Sequence, residues 1–317
     1  MSLQALVADV GGTNIRLAIA NLTDLSMEHV QTYRCADFAK IDDAIEQYLS
    51  FIDADIHYAC IDVACPVTGD KVDLTNNHWC FSQSKIAQKF GFDKLYVIND
   101  FTAIAMAIPS LKDEQKTQVG GGEAQEHKPI AIYGAGTGLG VAHLVHSGQK
   151  WIALGGEGGH ADFAPTDAEQ VAILEHLQHK YTTVSAEQLL SGLGLVQIYQ
   201  ALCAINKQPE QNFQPADITT HGINNTDEMA ASAMRVFCRI LGSFGGNLAL
   251  TMATFGGVYI AGGIVPRFID YLKTSEFRAG FEAKGRFKPY VSGIPVYVVT
   301  EPQPGLLGCA AYIKQEL

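Results

Sequence analysis

Two stretches of this 317-residue chain share one pattern, and that pattern decides the fold. Residues 5–21 read ALVADVGGTNIRLAIAN, and residues 129–145 read PIAIYGAGTGLGVAHLV. Each is an apolar strand, a Gly-Thr turn and a second strand of alternating polarity. The two superpose when position 5 is placed on position 129. Because repetition of a supersecondary unit predicts a repeated domain, we expect an α/β chain of two similar domains that face a shared ligand.

A third glycine turn, Ala261-Gly-Gly-Ile264, follows the apolar strand predicted at 258–260. Glycine leaves backbone N–H groups unshielded, and adjacent N–H groups attract phosphate oxygens. A hairpin Gly-Gly alone is more often only a turn, so the three turns together predict a nucleotide-phosphate site. Other phosphate motifs fail, since no Gly-Lys-Ser/Thr occurs and Leu139 stands where a dinucleotide fingerprint needs glycine. The turns contain no lysine, which leaves backbone amides and a divalent cation, Mg²⁺, to meet the phosphate charge.

The overall charge and hydropathy exclude several function classes. The formal net charge is −11, from 22 Lys and Arg against 33 Asp and Glu, which disfavours nucleic acid and anionic membranes as partners. The sequence has neither an uninterrupted run of about 18 apolar residues nor a charged leader with an apolar core, so it predicts a cytoplasmic protein without a membrane segment. The seven cysteines include no Cys-x-x-Cys pair and are expected to be free thiols.

Length and composition predict where the domains divide. At 317 residues the chain exceeds the roughly 250 to 300 residues at which one core usually stops growing. The polar, glycine-containing stretch 109–128 is the predicted crossing between domains, and the helix predicted at 306–315 is expected to return to the first domain. We therefore predict a smaller α/β domain of residues 1–110 with 300–317, and a larger α/β domain of residues 111–299.

Polar residues after one predicted strand are candidate ligands of a hexose, whose hydroxyls need rigid donors and acceptors. Asn99 and Asp100 follow the strand predicted at 95–98. Ligands of α/β sheets bind at the carboxyl ends of strands, which favours a site there. The alternative is that the Asn-Asp pair only caps the helix that follows.

Three further candidates lie in the second half of the chain. Glu157 and His160 belong to the segment GGEGGH (155–160), which cannot be the interior of a helix because four of its six residues are glycine. This favours a binding role for both side chains. Glu187 opens a predicted helix, where an acidic residue is equally expected for its interaction with the helix N-terminus.

Several motifs resemble those of known kinases. The segments DVGGTN (9–14), GAGTGLG (134–140) and YIAGGI (259–264) resemble the two phosphate motifs and the adenosine motif of the superfamily of sugar kinases, heat-shock chaperones and actin. The remaining motifs resemble the family of bacterial ATP-dependent glucokinases and occur in its order along almost the whole chain: CPVTGD (65–70), LTNNHW (74–79), INDF (98–101), GGEGGH (155–160), SAE (185–187), LSG (190–192) and PGLLG (304–308).

This resemblance implies a fold and an activity. The fold is a pair of actin-like, ribonuclease H-like α/β domains with a cleft between them. The activity is transfer of the γ-phosphoryl of ATP to the 6-hydroxyl of D-glucose, giving glucose 6-phosphate and ADP, the first step of glycolysis. ATP and Mg²⁺ are the implied cofactors, and a homodimer is the implied assembly. Two alternatives stay open: a nucleotide-gated, sugar-binding regulatory protein without turnover, and a kinase of another hexose.

The resemblance also assigns roles to individual residues. Asp100 is the implied general base, and Asp9 is expected to hold Mg²⁺ through water. The residues implied to bind the sugar are Asn77, Asn99, Asp100, Glu157, His160 and Glu187. Those implied to bind the nucleotide are Asp9, Gly11, Gly12, Thr13, Asn14, Gly134, Gly136, Thr137, Gly138, Gly262 and Gly263.

Two residue patterns near these motifs complete the predictions. Arg16 follows the first glycine turn, and it is either a solvated strand residue or a phosphate contact. Related sugar kinases carry a cysteine-rich zinc site just after the equivalent of His160. Here Ala161-Asp-Phe163 follows instead, so no zinc site is expected.

Overall fold

The computed structural model describes residues 3–317 and divides them into two compact units. Unit 1 comprises the chain up to Lys112, the segment Gln149–Gly155 and the C-terminal stretch Glu301–Leu317. Unit 2 comprises Asp113–Gly148 and Gly156–Thr300. Segment 149–155 thus clusters with unit 1, although the sequence prediction placed it in the larger domain. The division into domains proposed from the sequence otherwise remains a prediction.

The strands and helices alternate along much of the chain. The strands are β1 (Gln4–Val10), β2 (Asn14–Asn21), β3 (Met27–Arg34), β4 (Tyr58–Val63), β5 (Lys71–Asp73), β6 (Cys80–Ser82), β7 (Lys94–Asn99), β8 (Lys116–Gly120), β9 (Ile130–Ala135), β10 (Leu139–His146), β11 (Trp151–Gly156), β12 (Val258–Ala261) and β13 (Val296–Val299). The α-helices are α1 (Ile41–Leu49), α2 (Gln83–Phe90), α3 (Asp100–Ala107), α4 (Ala168–Gln178), α5 (Gly192–Asn206), α6 (Pro215–Ile223), α7 (Glu228–Met252), α8 (Ile269–Thr274), α9 (Phe277–Glu282), α10 (Lys288–Ser292) and α11 (Pro304–Glu316).

Unit 1 is built on a five-stranded sheet in the order β3-β2-β1-β4-β7. β1 and β2 form the predicted antiparallel hairpin, and β4 and β7 add to the other side of β1 as parallel strands. Helices cover both faces of the sheet, because successive side chains of a strand point to opposite faces. Ala5 and Val7 of β1 pack in one buried cluster with α11, whereas Leu6 and Ala8 pack in another with α1.

Unit 2 repeats this arrangement with a second set of strands. Its strands lie in the order β10-β9-β12-β13-β8. β9 and β10 form the second predicted antiparallel hairpin, β12 runs parallel to β9, and β13 runs parallel to β12. The long helix α7 packs against α5, α6 and α9, and Tyr133 of β9 lies fully buried within the same core. The repeat predicted from the sequence is therefore confirmed as a repeated hairpin with parallel strands beside it.

The C-terminal helix confirms a second prediction. α11 packs against α3, β1 and β4, all of unit 1. The backbone N–H and carbonyl of Trp151 also hydrogen-bond to the Gln315 side chain, at 2.8 and 2.9 Å. This double contact accounts for the clustering of segment 149–155 with unit 1.

The polar stretch 109–128 contains the boundary between the units at Lys112 and Asp113, as predicted, and also a strand that its composition did not predict. It contains β8, which pairs antiparallel with β13 at the edge of the unit 2 sheet. Only Val119 of β8 is buried, so this edge strand has the composition of a loop. Within residues 3–317 no helix combines the length and the apolar character needed to cross a bilayer.

Candidate functional site

The first glycine turn of unit 1 is fixed by hydrogen bonds from two other segments. The Gly11 carbonyl accepts from Asn77 Nδ2 at 3.4 Å, and the Thr13 carbonyl accepts from the Cys35 N–H at 2.8 Å. A Cβ atom at Gly12 would lie 2.9 Å from the backbone oxygen of Asn76. Glycine is therefore required at position 12 by close packing. Asn77, predicted as a sugar ligand, lies beside this turn and braces it.

Asp9 and Arg16 form an ion pair on the strands that flank this turn. Arg16 Nη1 lies 2.9 Å from Asp9 Oδ2, since the two residues are register partners in β1 and β2. The pair engages Nη1 alone and the rest of the guanidinium is partly exposed, so a phosphate contact for Arg16 stays a prediction. Asp9 Oδ1 has no hydrogen-bond partner within residues 3–317. One free carboxylate oxygen suits Mg²⁺, which is usually held by one or two carboxylates, water and substrate phosphates.

Asn99 has the helix-capping role that the sequence analysis left open, and the role of Asn99 and Asp100 as sugar ligands stays a prediction. Asn99 is the N-cap of α3, where its Oδ1 accepts from the backbone N–H groups of Phe101 and Thr102. Its Nδ2 donates to Asp100 Oδ1 at 2.8 Å. The same Asp100 oxygen accepts the Phe101 N–H at 2.9 Å. The Asp100 carboxylate is thereby held in one orientation, with Oδ2 left for another group.

Electrostatics tune Asp100 toward proton transfer near neutral pH. Burial raises the pKa of Asp100 to about 6, and the negative charge of Asp9 adds to this effect. The hydrogen bonds from Phe101 and Asn99 act in the opposite direction, because they stabilise the carboxylate. A carboxyl group with this pKa is largely ionised at pH 7 and still basic enough to accept a proton.

Asp62 is a buried carboxyl group that the sequence analysis did not single out. It is the register partner of Asp9 across β1 and β4, and its side chain is fully buried. Its Oδ2 accepts a weak hydrogen bond from Cys309 Sγ at 3.5 Å, while Oδ1 has no partner. Burial raises the pKa of Asp62 well above its ordinary value, and the charges of Asp9 and Asp100 raise it further. The protonated form of Asp62 is therefore favoured relative to an exposed carboxyl group.

The second glycine turn, in unit 2, is held by Glu187. Glu187 Oε2 accepts the Leu139 N–H at 2.8 Å, and a Cβ atom at Gly138 would lie 2.5 Å from this oxygen. Glu187 lies in a single turn of 3-10 helix, Ala186–Gln188, and not at the start of a longer helix as predicted. Its other oxygen, Oε1, is 3.9 Å from His160 Nδ1. The fold thus brings Gly138, Glu187 and His160 together.

Glu157 and His160 bracket a single turn of 3-10 helix, Gly158–His160. Glu157 precedes this turn and accepts the His160 N–H through its backbone carbonyl at 3.0 Å. Gly159 packs so closely on the Leu139 carbonyl that no side chain fits there. The glycines of this segment therefore let it lie against β10, while both polar side chains remain exposed.

The third glycine turn packs directly on the second within unit 2. Gly134 and Ala261 are register partners in β9 and β12, and a Cβ atom at Gly134 would collide with the Ala261 backbone. Gly262 has a φ of 81°, in the left-handed region that favours glycine, and its Cβ position lies 2.5 Å from the Ala135 oxygen. By contrast, Gly136 and Gly263 have open space at their Cβ positions.

The predicted site residues thus fall into one group in each unit. Unit 1 holds Asp9, Gly11, Gly12, Thr13, Asn14, Asn77, Asn99 and Asp100. Unit 2 holds Gly134, Gly136, Thr137, Gly138, Glu157, His160, Glu187, Gly262 and Gly263. Asp62 was missed because strand β4 is otherwise apolar. The signal available in the sequence was one acidic residue within an otherwise apolar strand.

Comparison with solved structures defines the class. A glucokinase from an Antarctic psychrotroph is 36% identical, with a TM-score of 0.92 over 98% of this chain and 99% of that one. A glucokinase from Streptomyces griseus, solved with glucose and AMPPNP, shares the fold at 18% identity and a TM-score of 0.64, with 98% of each chain covered. The chain therefore has the actin-like, two-domain α/β fold of these kinases.

Sequence comparison then gives the family. The family model described as Glucokinase matches residues 6–316. A glucokinase from Tolumonas auensis is 54% identical over 317 residues, which are 100% of this chain and 99% of that relative. A glucokinase from Photorhabdus laumondii is 52% identical with the same coverage. The chain belongs to the glucokinase family.

Proposed function

We propose that this protein transfers the γ-phosphoryl of ATP to the 6-hydroxyl of D-glucose, forming glucose 6-phosphate and ADP. Membership of the glucokinase family supports this reaction. The observation that carries the mechanism is Asp100, a fixed carboxylate with a pKa of about 6 at the start of α3. A binding protein without turnover has no need of a carboxyl group poised in this way, so that alternative is disfavoured.

Asp100 acts as the general base. Its Oδ1 is committed to the Asn99 amide and the Phe101 N–H, so Oδ2 accepts the proton of the sugar 6-hydroxyl. Phosphoryl transfer passes through a loose transition state in which positioning supplies much of the rate. Because two hydrogen bonds already fix the Asp100 carboxylate, less side-chain conformational entropy is lost when the sugar hydroxyl binds. Asn99 is therefore a positioning residue as well as a sugar ligand.

The proposed sugar ligands fall into two groups, one in each unit. We propose that Asn99 and Asp100 of unit 1 bind the hydroxyls nearest the transferred group. Glu157, His160 and Glu187 of unit 2 supply two carboxylates and an imidazole for the remaining hydroxyls. Glu187 is already fixed by the Leu139 N–H, which favours a defined geometry over a flexible one. Asn77 remains a proposed contact, although its amide is engaged with Gly11.

The nucleotide is proposed to bind at the three glycine turns. The exposed Thr13 and Thr137 hydroxyls and the neighbouring backbone amides, including that of Asn14, donate to phosphate oxygens. Gly136 and Gly263 have no atom within 4 Å of their Cβ positions, which leaves room for a ligand to approach the backbone. When bound, Mg²⁺ neutralises phosphate charge, and Asp9 would hold it through water. A chain of net charge −11 needs such neutralisation because its turns contain no lysine.

Two finer statements belong to the same proposal. We propose a homodimer on the basis of family resemblance. We also propose a cytoplasmic location, which fits a donor, ATP, that is a cytoplasmic metabolite and a sequence without an apolar run long enough to span a membrane.

The experiment is an ADP-release assay with the purified chain, MgATP and a panel of hexoses. We expect ADP release to require glucose and Mg²⁺ together, with phosphorus NMR identifying a 6-phosphate ester. Fructose, mannose and N-acetylmannosamine are the comparison sugars. The proposal fails if glucose does not stimulate ADP release, or if another hexose exceeds glucose in kcat/KM.

A further inference from the structure

Unit 1 contains an open cleft beside the first glycine turn. The cleft has a volume of about 470 Å³, within the range of roughly 300–1,000 Å³ that small-molecule sites occupy. Three segments line it: the turn at Gly12 and Thr13, the end of β3 with Arg34 to Ala36, and the loop Thr75–His78. The first of these segments belongs to the proposed nucleotide site, and Asn77 of the third is a proposed sugar contact.

Hydrogen bonds fix the three walls to one another. The Cys35 N–H donates to the Thr13 carbonyl at 2.8 Å, and Asn77 Nδ2 donates to the Gly11 carbonyl at 3.4 Å. The loop that carries His78 is anchored by the buried Trp79, whose Nε1 donates to the Phe38 carbonyl at 3.2 Å. The cleft is therefore formed before any ligand arrives, which reduces the entropy cost of binding.

The polar side chains around the cleft are largely unused. Within residues 3–317, Arg34, Thr75 and Asn76 have no side-chain hydrogen bond or ion pair, and neither does the Thr13 hydroxyl. His78 Nε2 lies 3.1 Å from the Phe38 carbonyl, which can only accept, so Nε2 carries the hydrogen and Nδ1 stays available. Arg34, Thr75 and Asn76 and the Thr13 hydroxyl are able to donate several hydrogen bonds to one ligand, whereas His78 Nδ1 in this tautomer is an acceptor.

The charge around the cleft favours an anion. Its nine lining residues include one arginine and one histidine and no Asp or Glu. A guanidinium that has no ion pair and lines a cleft without a carboxylate favours a negative ligand there. Arginine also presents a planar fork of donors that matches phosphate oxygens.

We propose that this cleft is a second anion site, which binds a phosphate dianion with Arg34 as its counter-charge. The dianion is supplied either by the sugar 6-phosphate that the reaction produces or by inorganic phosphate. Binding of the product here rests on the proposed function, because Gly12 and Thr13 are proposed to bind the phosphates of the nucleotide. A cleft of this volume accommodates a sugar as well as a phosphate, which favours the phosphate ester.

Calorimetry on the full chain without nucleotide tests the proposal. Glucose 6-phosphate, inorganic phosphate and glucose are titrated into wild type, Arg34→Gln, Arg34→Lys and the control Arg286→Gln. Arg286 lies over the Phe287 ring in unit 2, so its replacement makes the same charge change away from the cleft. We expect Arg34→Gln to weaken phosphate binding about five- to tenfold, Arg34→Lys to weaken it less, and Arg286→Gln to leave it unchanged.

The two ligands distinguish the sources of phosphate. Tighter binding of glucose 6-phosphate than of inorganic phosphate, with both weakened in Arg34→Gln, identifies the product as the ligand. If both anions bind wild type with equal affinity and Arg34→Gln weakens both equally, the site recognises the phosphate group alone. The proposal is overturned if Arg34→Gln binds both anions as wild type does, or if KM for ATP rises by the same factor as the phosphate Kd, which makes the cleft part of the nucleotide site. Because binding of inorganic phosphate needs no turnover, this outcome is separate from the ADP-release assay.

Discussion

The two glycine turns occupy equivalent places in the repeated hairpins, yet their surroundings differ. The first turn is flanked by the Asp9–Arg16 ion pair, while Tyr133 and Gly140 stand at the superposed positions of the second. Tyr133 is fully buried, and its hydroxyl donates to the Leu241 carbonyl at 2.9 Å. The carboxylate beside the second turn comes from Glu187, a residue outside the repeat.

This difference teaches how a repeated unit acquires two functions. In unit 1 the charges of Asp9 and Asp100 raise the pKa of Asp62, and the charge of Asp9 raises the pKa of Asp100, which suits proton and phosphate chemistry. In unit 2 the buried Tyr133 stands at the position that corresponds to Asp9, so the strand has no carboxylate there. The polar residues around the second turn suit ligand recognition. We therefore expect changes in unit 1 to act mainly on kcat, and changes in unit 2 to act mainly on KM.

The largest expected effect tests the unit 1 half of this comparison. Asp100→Asn keeps the size and one acceptor oxygen of the side chain but removes the base. We expect kcat to fall by about 10²- to 10⁴-fold, while glucose binds with a Kd within about threefold of wild type. Steady-state kinetics and calorimetry measure the two quantities. Full activity in this variant would contradict the assignment of Asp100.

The two turns can be compared directly by the same substitution at superposed positions. In Gly12→Ala the new methyl group meets the Asn76 backbone oxygen at 2.9 Å, so we expect a loss of about 1–3 kcal/mol in the free energy of unfolding. In Gly136→Ala the methyl group meets no atom within 4 Å, so stability should stay within about 0.5 kcal/mol.

Nucleotide binding gives a further test of the second turn. In Gly136→Ala the methyl group occupies the space proposed for the nucleotide, and we expect KM for ATP to rise about tenfold, equivalent to about 1.4 kcal/mol. Chemical denaturation and steady-state kinetics on both variants provide the measurements. Unchanged KM for ATP in a stable Gly136→Ala protein would remove the second turn from the nucleotide site.

A smaller effect is expected at the carboxylate of unit 2. In Glu187→Gln the side-chain carbonyl still accepts the Leu139 N–H, but the negative acceptor for a sugar hydroxyl is lost. We expect KM for glucose to rise about five- to tenfold and kcat to change by less than about threefold. Glu175→Gln, an exposed change on α4, is the matched control. A fall in kcat with unchanged KM would break the proposed division between the units.

The last prediction concerns stability and not activity, at the buried carboxyl group of Asp62. Its raised pKa means that the folded chain retains a proton that the unfolded chain releases above pH of about 4. Stability is thus lost as the pH rises from there until it passes the folded-state pKa. Asp62→Asn removes this ionisation, so its stability relative to wild type should increase by up to about 1.4 kcal/mol per pH unit in that range. Urea unfolding at pH 5, 6 and 7 measures the slope, and a constant difference would contradict it.

Much of the fold was predictable from local sequence. Both hairpins follow from alternating polarity around a Gly-Thr turn, and the terminal helix predicted at 306–315 agrees with α11. Strand β8 was missed because only one of its residues is buried. Local composition is a poor guide to an edge strand, whose polar residues face water.

The candidate site was less predictable because its contacts are distant in sequence. Glu187 holds the Leu139 N–H from 48 residues away, which no local pattern reveals. Asp62 and Arg34 were missed for different reasons. Asp62 lies in a buried strand, and the sequence does not show that it pairs in register with Asp9. Arg34 is a candidate ligand only because the fold leaves it unpaired beside a cleft, which the sequence does not show either.

The pH dependence of kcat/KM for glucose tests the role of Asp100 most directly. Because a base must be ionised, we predict that kcat/KM is flat above pH 7 and falls tenfold per pH unit below a pKa of about 6. The residual activity of Asp100→Asn should lack this limb. A wild-type profile that stays flat through pH 6, or the same acidic limb in Asp100→Asn, would contradict the account.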